Sequence, residues 1–364
     1  MMPGPELTFL QDGRQTADQV AGELATFLSA AQQSIDIAIY DLNLAGAAAD
    51  IVRSAVKTAA SKGVAVRLLY NVDFPNPIPV PPPAQPDAAY IASLGVPTRP
   101  VSGIPSLMHH KYVVRDSGTD AATVWTGSTN WTIDSWTREE NAIIRLPSPA
   151  LAQEYSRNFG ELWDTARVDG TGKYDLAGVP IVSADAPLKA QVIFSPGRGR
   201  RMSHVIADRI AHARRRVRVC SPVITSGVIL GTLGDLLHSH ASHVDFKGVY
   251  DRTQMAEVLN QWRVDPHAGW KGPAFQSITA SLPFASKVTT PYSPTSVHDY
   301  MHAKATVVDN TVLTGSYNLS HAGETNAENL LVLDSAPLAD QFVAFIDAVY
   351  TRYAAVPASV KIGS

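Results

Sequence analysis

Histidine and lysine residues recur in two short motifs of identical spacing, and these residues are the best suited to chemistry. The motif H-x-K-x₄-D occurs twice, as His109, Lys111 and Asp116 and as His302, Lys304 and Asp309. A neutral imidazole can attack phosphorus, and an ammonium group can neutralise the non-bridging oxygens of a phosphate. Two copies of both residue types therefore predict an enzyme that cleaves a phosphodiester.

Each motif is followed by further polar residues at matching distances. A Gly-Ser-x-Asn element comes next, and a Glu-Asn pair lies ten residues after its asparagine. The residues of these elements that we assign to the site are Ser128, Asn130, Glu140, Ser316, Asn318 and Glu328. We expect the asparagines to donate hydrogen bonds to the phosphate, and the glutamates to accept from the far ring nitrogen of each histidine. The aspartates of the motifs lie near a turn, and we expect them, with the serines, to be structural.

The spacing also indicates where the motifs lie in the fold. On a strand, side chains two positions apart project from the same face, so each histidine shares a face with its lysine. Val113 and Val307 lie in apolar runs, which predicts that each motif is a buried strand with its polar pair at one end. A pseudo-twofold axis between two copies would bring both imidazoles and both lysines into one site. One imidazole then attacks phosphorus while the other protonates the leaving oxygen.

The rest of the chain repeats in the same order. Hydrophobic patterning predicts helices and strands in the first half at Val20–Leu28, Ser34–Tyr40, Ala47–Ala60 and Val64–Tyr70. Their counterparts in the second half are His204–Ala213, Val217–Val223, Gly231–His240 and Val244–Tyr250. This alternation predicts an α/β fold of two pseudo-twofold-related domains, each a mixed β-sheet flanked by helices. We place the domains at residues 1–178 and 187–364.

Two long segments without clear periodicity precede the motifs. The first, Phe74–Pro100, is dense in proline. The second, Arg252–Tyr300, contains the aromatic residues Trp262, Trp270, Phe275, Phe284 and Tyr292. Loops of this length are typical of lids or rims around a site. We therefore predict two loops at the mouth of the site, with partly mobile insertions as the alternative.

The paired motifs resemble those of the phospholipase D superfamily, the HKD phosphodiesterases, and the resemblance covers nearly the whole chain in two repeats. It implies a metal-independent reaction without a cofactor, through a phosphohistidine intermediate, at the interface of two phospholipase D-like domains. Similarity to bacterial phospholipases D implies that His109 is the nucleophile and His302 the general acid. The superfamily includes phospholipases, phosphatidyl transferases and nucleases, so the motif predicts the chemistry better than the substrate.

The sequence favours a phospholipid substrate and leaves a nucleic-acid substrate open. The net charge of −3 and apolar loop residues such as Ile78 and Val80 favour a phospholipase D-like hydrolase or transphosphatidylase at a membrane or micelle surface. Eight arginines between Arg198 and Arg218 favour a nuclease that cleaves DNA or RNA, as does the run Gly127–Thr132, which looks like nuclease-type members. The same arginines also have a simpler explanation, as charges at the end of a helix.

Composition and the single cysteine exclude several other classes of protein. Hydrophobic residues make up 45% of the chain and charged residues 17%, which is typical of a globular protein. No apolar stretch is long enough to span a membrane, and Cys220 alone cannot form an intramolecular disulfide or a thiolate metal site. We find no signal peptide in Met1–Gln15, which favours the cytoplasm, whereas a removed leader would indicate secretion. We expect a monomer that binds neither a metal nor a cofactor.

Overall fold

Strands and helices follow the same order in both halves of the protein. The structure, a computed structural model, describes residues 4–75, 82–174, 178–182, 187–238 and 244–354. The elements of the first half are β1 (Glu6–Leu10), α1 (Ala17–Ser29), β2 (Ser34–Ile39), β3 (Leu42–Asn43), α2 (Gly46–Ser61), β4 (Ala65–Val72), α3 (Ala88–Ser93), β5 (Thr98–Ser102), β6 (Lys111–Arg115), β7 (Thr123–Gly127), β8 (Trp131–Thr132), α4 (Ile133–Thr137), β9 (Asn141–Pro147) and α5 (Pro149–Thr165). Those of the second half are β10 (Val179–Val182), β11 (Pro187–Phe194), α6 (Gly199–Ala211), β12 (Arg216–Ser221), α7 (Gly227–His238), β13 (Asp245–Asp251), α8 (Arg252–Val264), α9 (Lys271–Ser281), β14 (Phe284–Lys287), β15 (Ala305–Val308), β16 (Thr311–Gly315), α10 (His321–Thr325), β17 (Asn329–Asp334) and α11 (Ala336–Ala354).

Two mixed β-sheets with the same topology establish the duplication. The first has the strand order β1-β9-β7-β6-β2-β4-β5, and the second has β10-β11-β17-β16-β15-β12-β13-β14. Strand for strand the two orders correspond, and β10 is an added edge strand of the second sheet. The predicted α/β fold of two mixed sheets is therefore confirmed, and all eight predicted elements are present with shifted ends. The predicted domain boundary between residues 178 and 187 lies partly outside the described residues and stays a prediction.

Apolar sequence explains why the central strands are buried on both faces. In β2, all residues from Ile35 to Ile39 are buried, because α1 and α2 cover one face of the sheet, and α5 together with the core shared between the halves covers the other face. Helix α1 begins where a capping box forms between Thr16 and Gln19, and α5 begins at Pro149 after a cap by Ser148. These signals fix the helix ends that lead into and out of the strands.

The second predicted loop is wrong, because most of Arg252–Tyr300 folds into α8, α9 and β14. Trp262 and Phe275, expected at a rim, are only 8% and 3% exposed and belong to the core of the second half. Trp270 is 52% exposed. Glycines and prolines from Pro266 to Pro273 interrupt the hydrophobic periodicity of the sequence. Helices α8 and α9 also bury few residues each, so the sequence pattern did not predict them. The proline-rich segment Phe74–Pro100 likewise contains α3 and the start of β5. Its residues 76–81 lie outside the described residues.

A shared core joins the two halves through reciprocal contacts of α5 and α11. Phe9 of β1 stacks on Phe345 of α11, with ring centroids 4.5 Å apart. In the matching contact, Phe194 of β11 meets Tyr155 of α5 at 5.2 Å. Each half therefore places an outer strand, β1 or β11, against the long helix of the other half. Within the described ranges, even α11, at 19 residues, is not long and apolar enough to cross a membrane, and neither is any other helix.

Candidate active site

The two motifs meet where the starts of β6 and β15 face each other across the halves. The backbone N–H of His109 donates to the carbonyl of Ala327 (3.0 Å), and that of His302 donates to the carbonyl of Glu140 (3.1 Å). Each histidine is thus attached to the other half of the chain. The side chains of both motif pairs are buried, as the apolar runs around them predict.

A cavity of about 440 Å³ opens at this junction, lined by His302, Asn130, Asn318 and Glu139. Its outer wall is mainly apolar and aromatic, and includes Tyr40, Phe74, Leu107, Val223, Tyr292 and Tyr300. The lining that the structure describes contains no lysine or arginine. The ring of Tyr40 lies 4.6 Å from that of His109, centroid to centroid. The geometry suits a substrate with a charged centre and an apolar surrounding.

His109 is held by a carboxylate from the other half of the chain. Its Nδ1 lies 2.8 and 2.9 Å from the two carboxylate oxygens of Glu328. Burial raises the pKa of Glu328 to about 8, against the lowering effect of Lys111. Burial, and then the charges of Lys111 and Lys304, hold the pKa of His109 well below its usual value. When the ring proton of His109 lies on Nδ1 and is donated to Glu328, the far nitrogen Nε2 carries a lone pair that can act as a nucleophile.

His302 is held differently, and the prediction that Glu140 orients it is wrong. Its Nδ1 lies 3.1 Å from Asn141 Oδ1 and 3.2 Å from Glu139 Oε2. Burial raises the pKa of Glu139 to about 7, whereas burial and the two lysines lower that of His302. The carboxylate of Glu140 points elsewhere and accepts from Lys287 Nζ (2.9 Å).

One additional residue in the first half explains why Glu140 is displaced. The glycine of the Gly-Ser-x-Asn element pairs with Ile143 in the first sheet and with Leu330 in the second. Counting back two residues along each strand gives Asn141 and Glu328 as the equivalent positions. The sequence comparison, counted forward from the asparagine, assigned Glu140 instead. A single-residue slip turns every following side chain to the opposite face of a strand.

The serines of the Gly-Ser-x-Asn elements hold this register. Ser128 Oγ donates to Asn141 Oδ1 (2.6 Å) and accepts from the N–H of Ala142 (3.0 Å). In the second half, Ser316 Oγ accepts from the N–H of Asn329 (3.0 Å). Both serines are buried and bond to the strand that carries the partner of a histidine.

The two lysines are buried at the same junction. Lys111 Nζ donates to the carbonyl of His109 (2.8 Å), and Lys304 Nζ donates to the carbonyl of His302 (2.6 Å). Lys111 also lies over the ring of Tyr40, 4.8 Å from its centroid. Burial lowers the pKa of both lysines, that of Lys304 to about 7. A bound anion would oppose this effect, so the site is electrostatically prepared for a phosphate.

The two asparagines have unused polar atoms at the cavity. Asn130 is 8% exposed, and its Oδ1 is buried with no hydrogen-bond partner among the described residues. The same is true of Asn318 Oδ1. A side-chain amide can turn to present either its oxygen or its NH₂ group. Each could therefore donate to a phosphate oxygen.

The aspartates of both motifs bind backbone amides away from the cavity. One carboxylate oxygen of Asp116 accepts from the N–H groups of residues 32–34, at 2.6–3.2 Å. Asp309 accepts through both of its carboxylate oxygens from the N–H groups of residues 214–216, at 2.8–3.2 Å. Each aspartate thus ties the turn after its motif strand to the start of the neighbouring strand, β2 or β12.

Several residues at the site were not assigned from sequence. Glu139, Asn141 and Tyr40 are the main ones. Two glutamates precede Asn141 in the first half. Aligning the two halves on strand β9 instead of on Asn130 would have shown the additional residue. Tyr40 ends a predicted strand at the same sheet edge as the motif, which is a weaker signal.

The aromatic segment contributes to the rim only near its end. Tyr292, His298 and Tyr300 form a stacked ladder, with ring centroids 5.4 and 5.3 Å apart, on one wall of the cavity. The hydroxyl oxygens of both tyrosines are buried and lack a partner in the part of the chain that is described. They are therefore available to a ligand.

Two regions of the chain match one family of known proteins. Residues 24–163 and 206–350 each match the family described as "Cardiolipin synthase, PLD-like domain". The two matches together cover well over half of the chain, and each contains one motif with its lysine and histidine. The chain belongs to the phospholipase D-like family. The predicted resemblance is confirmed, and with it the general class of phosphodiester chemistry. A comparison with curated proteins gave no significant match.

Two solved structures share the fold of this chain at low sequence identity, and a third aligns with part of it. A polyphosphate kinase from Porphyromonas gingivalis aligns with 95% of this chain at 10% identity and a TM-score of 0.60; the chain spans only 47% of that protein's length. A phosphatidylserine synthase from Haemophilus influenzae aligns with 95% of this chain and 86% of its own, at 14% identity and a TM-score of 0.58. Nuc from Salmonella typhimurium, a phospholipase D family member, aligns with 44% of this chain and 95% of its own, at 22% identity and a TM-score of 0.32.

Proposed function

We propose that this protein is a phosphodiesterase that releases the head group of a phospholipid through a phosphohistidine intermediate, at one site made by both halves. The observation that carries the proposal is the reciprocal support of the two histidines. His109 is held by Glu328 of the second half, and His302 by Asn141 and Glu139 of the first. Neither half alone contains a supported histidine, so one shared site follows.

The reaction has two displacements at phosphorus. In the first, His109 Nε2 attacks, the bond from phosphorus to the leaving oxygen breaks, and His302 gives that oxygen a proton. In the second, His302 takes a proton from water or an alcohol, which attacks phosphorus and releases His109. Lys111 and Lys304 balance the charge of the non-bridging oxygens, and the amides of Asn130 and Asn318 donate to them.

Substrate charge supplies the proton distribution that this sequence of steps needs. In the empty site, burial and the lysines lower the pKa of both histidines, so both are neutral at pH 7. An anionic phosphodiester between the lysines opposes their effect and raises the pKa of His302. Binding therefore prepares the general acid, while the tautomer of His109 with its proton on Nδ1, facing Glu328, leaves Nε2 unprotonated.

The chemistry of the cavity wall favours a lipid over a nucleic acid. The outer wall is apolar and aromatic, and its charged groups include the carboxylates of Asp41 and Glu257. A nucleic-acid groove needs cationic groups along the phosphate backbone. Of the arginine cluster, Arg209, Arg216 and Arg218 are engaged with aspartates. Of the apolar loop residues that suggested a lipid surface, Ile78 and Val80 lie outside the described residues.

Parallel assays on three substrates test this choice. The purified protein is incubated with phosphatidylcholine vesicles, single-stranded DNA and double-stranded DNA at physiological salt. We expect head-group release to be much faster than DNA cleavage, and added ethanol to yield phosphatidylethanol if an alcohol can replace water. Faster cleavage of DNA that falls steeply with rising salt would instead establish a nuclease.

Chelation tests the metal-independent chemistry in the same assay. The two lysines supply the positive charge that a metal would otherwise bring to the phosphate. We therefore expect full activity in EDTA. Loss of activity in EDTA that a divalent ion restores would overturn this mechanism.

A further inference from the structure

A second cavity, of about 850 Å³, shares no lining residue with the cavity at the motifs. Its walls are the segments 102–106, 166–169, 196–201 and 321–325, so both halves contribute. We propose that this cavity binds a phosphomonoester group. Nothing in the chemistry of the motifs requires such a site, and the inference stands apart from the proposed function.

Arginine dominates the charge of this cavity. Its lining includes Arg167, Arg198, Arg200 and Arg201, against only two carboxylates, those of Asp169 and Glu324. The Glu324 carboxylate is already shared with the ring of His321, at 3.3 Å. An arginine guanidinium presents paired N–H donors that match the oxygens of a phosphate. The cavity therefore has an excess of positive charge in the group best suited to phosphate recognition.

The start of α6 adds to this charge. This 13-residue helix begins at the cavity wall, and no side chain caps its first turn. Gly199 brings that turn close to α10, because a Cβ there would collide with the carbonyl oxygen of Glu324. The N-terminal end of a helix carries a partial positive charge and unpaired N–H groups. It supports the arginines and is not the basis of the site by itself.

The arginine cluster of the sequence separates into two parts with different environments. Arg209, Arg216 and Arg218 form ion pairs with Asp334, Asp340 and Asp347. Among the described residues, Arg198 and Arg200 form no such pair, and both are exposed at the cavity. The helix-end explanation therefore does not account for these two arginines, and a phosphate ligand does.

The duplication provides an internal comparison. The matching cavity of the first half lies between the end of β1, the end of α4 and the end of α11, with Arg14, Arg138 and Arg352 in its wall. There Asp12 pairs with Arg138 at 2.9 Å and also contacts Lys287. The corresponding turn after β11 contains Pro196 and Gly197 in place of an acidic residue. Asp12 therefore neutralises cationic groups at the first cavity, whereas no acidic residue of the corresponding turn does so at the second cavity.

A compact phosphomonoester fits this cavity better than a nucleic acid. Its volume is that of an ordinary small-ligand site, and no phenylalanine, tyrosine or tryptophan lines the described wall to stack on a base. A phosphomonoester carries close to two negative charges at pH 7, which matches the excess of arginine over carboxylate. The group could belong to a free metabolite or to a lipid such as phosphatidate.

Calorimetric titration of the full chain with inorganic phosphate tests the proposal. We expect two phosphate ions per chain in the wild type, one at the motifs and one at the arginine cavity. Arg198→Ala with Arg200→Ala should remove one of them, and Lys304→Met should remove the other. A control with the same loss of charge at exposed arginines elsewhere, Arg14→Ala with Arg263→Ala, should keep both.

The outcomes separate this proposal from the proposed function. An Arg198→Ala, Arg200→Ala variant that binds as many phosphate ions as the wild type, with unchanged affinity, would overturn the arginine site. If the Lys304→Met variant kept both phosphates, the motif site would be in doubt and the arginine site would still stand. Single Arg200→Ala, expected to weaken one phosphate at least tenfold, covers the case of a double variant that does not fold. Displacement of phosphate by phosphatidate vesicles but not by glycerol phosphate would identify a lipid head group as the ligand, and the reverse a free phosphomonoester.

Discussion

At the scale of single residues, the two histidines of the duplicated site are not equivalent. The carboxyl group of Glu328 lies 2.8 Å from Nδ1 of His109, whereas an amide oxygen and a more distant carboxyl group face His302. A carboxylate stabilises an imidazole that becomes positively charged, as a nucleophile does when it attacks phosphorus. This difference supports His109 as the nucleophile independently of family resemblance. The assignment stays a prediction until the intermediate is identified.

Two neighbouring glutamates provide a matched test of the corrected register. Glu139→Gln removes the ionisable carboxyl group beside His302, and we expect kcat to fall about 10- to 100-fold with little change in stability. Glu140→Gln instead weakens the buried pair with Lys287, and we expect a loss of about 3 kcal/mol in unfolding free energy with kcat near that of the wild type. Kinetics on a soluble diester and urea unfolding measure the two effects. The opposite pattern would restore Glu140 as the partner of His302.

The lowered histidine pKa values predict how activity depends on pH. The general acid must carry a proton, and in the empty site the pKa of His302 lies below 6.5, so kcat/KM should decline above an acidic optimum. The bound phosphodiester raises this pKa, so the alkaline limb of kcat should lie about one pH unit or more above that of kcat/KM. Profiles of both constants between pH 4 and 9 provide the measurement. Superimposed alkaline limbs would show that substrate charge does not prepare the acid.

At the scale of elements, the turns after β7 and β16 depend on their glycines. Gly315 has φ +144°, and a Cβ there would meet Asn329 Oδ1 at 2.9 Å as well as its carbonyl oxygen. Gly315→Ala should therefore cost roughly 2 kcal/mol or more of unfolding free energy. Gly231 lies in α7 with nothing near its Cβ position, so Gly231→Ala should stabilise by about 0.5 kcal/mol or more. Thermal unfolding of both variants measures the difference, and equal destabilisation would contradict this account of the turn.

Sequence periodicity predicted the elements where one face is clearly apolar, and failed where it is not. Helices α1 and α2 have regular buried stripes, and both were predicted within a few residues. Helix α8 buries only Met255 and Trp262, so its pattern resembles that of a loop. The motif residues could be predicted because spacing alone identifies them. The partner of His302 could not be predicted from the spacing after the asparagine, since the strand pairing shows a one-residue difference before β9.

At the scale of the whole molecule, the central claim is that duplication produced one site rather than two. The contacts between the two halves at the motifs are reciprocal, and each half supplies the partners of the other half's histidine. Loss of either motif should therefore disable the whole enzyme. A protein with two independent sites would keep about half of its activity.

Acid-quench trapping of the covalent intermediate tests this claim most directly. The wild-type chain is mixed with a soluble phosphodiester that carries labelled phosphorus, quenched during the first turnover, and digested for peptide mapping. The account predicts at most one label per chain, on the peptide that contains His109. Label divided equally between the peptides of His109 and His302, or no covalent label during turnover, would contradict it.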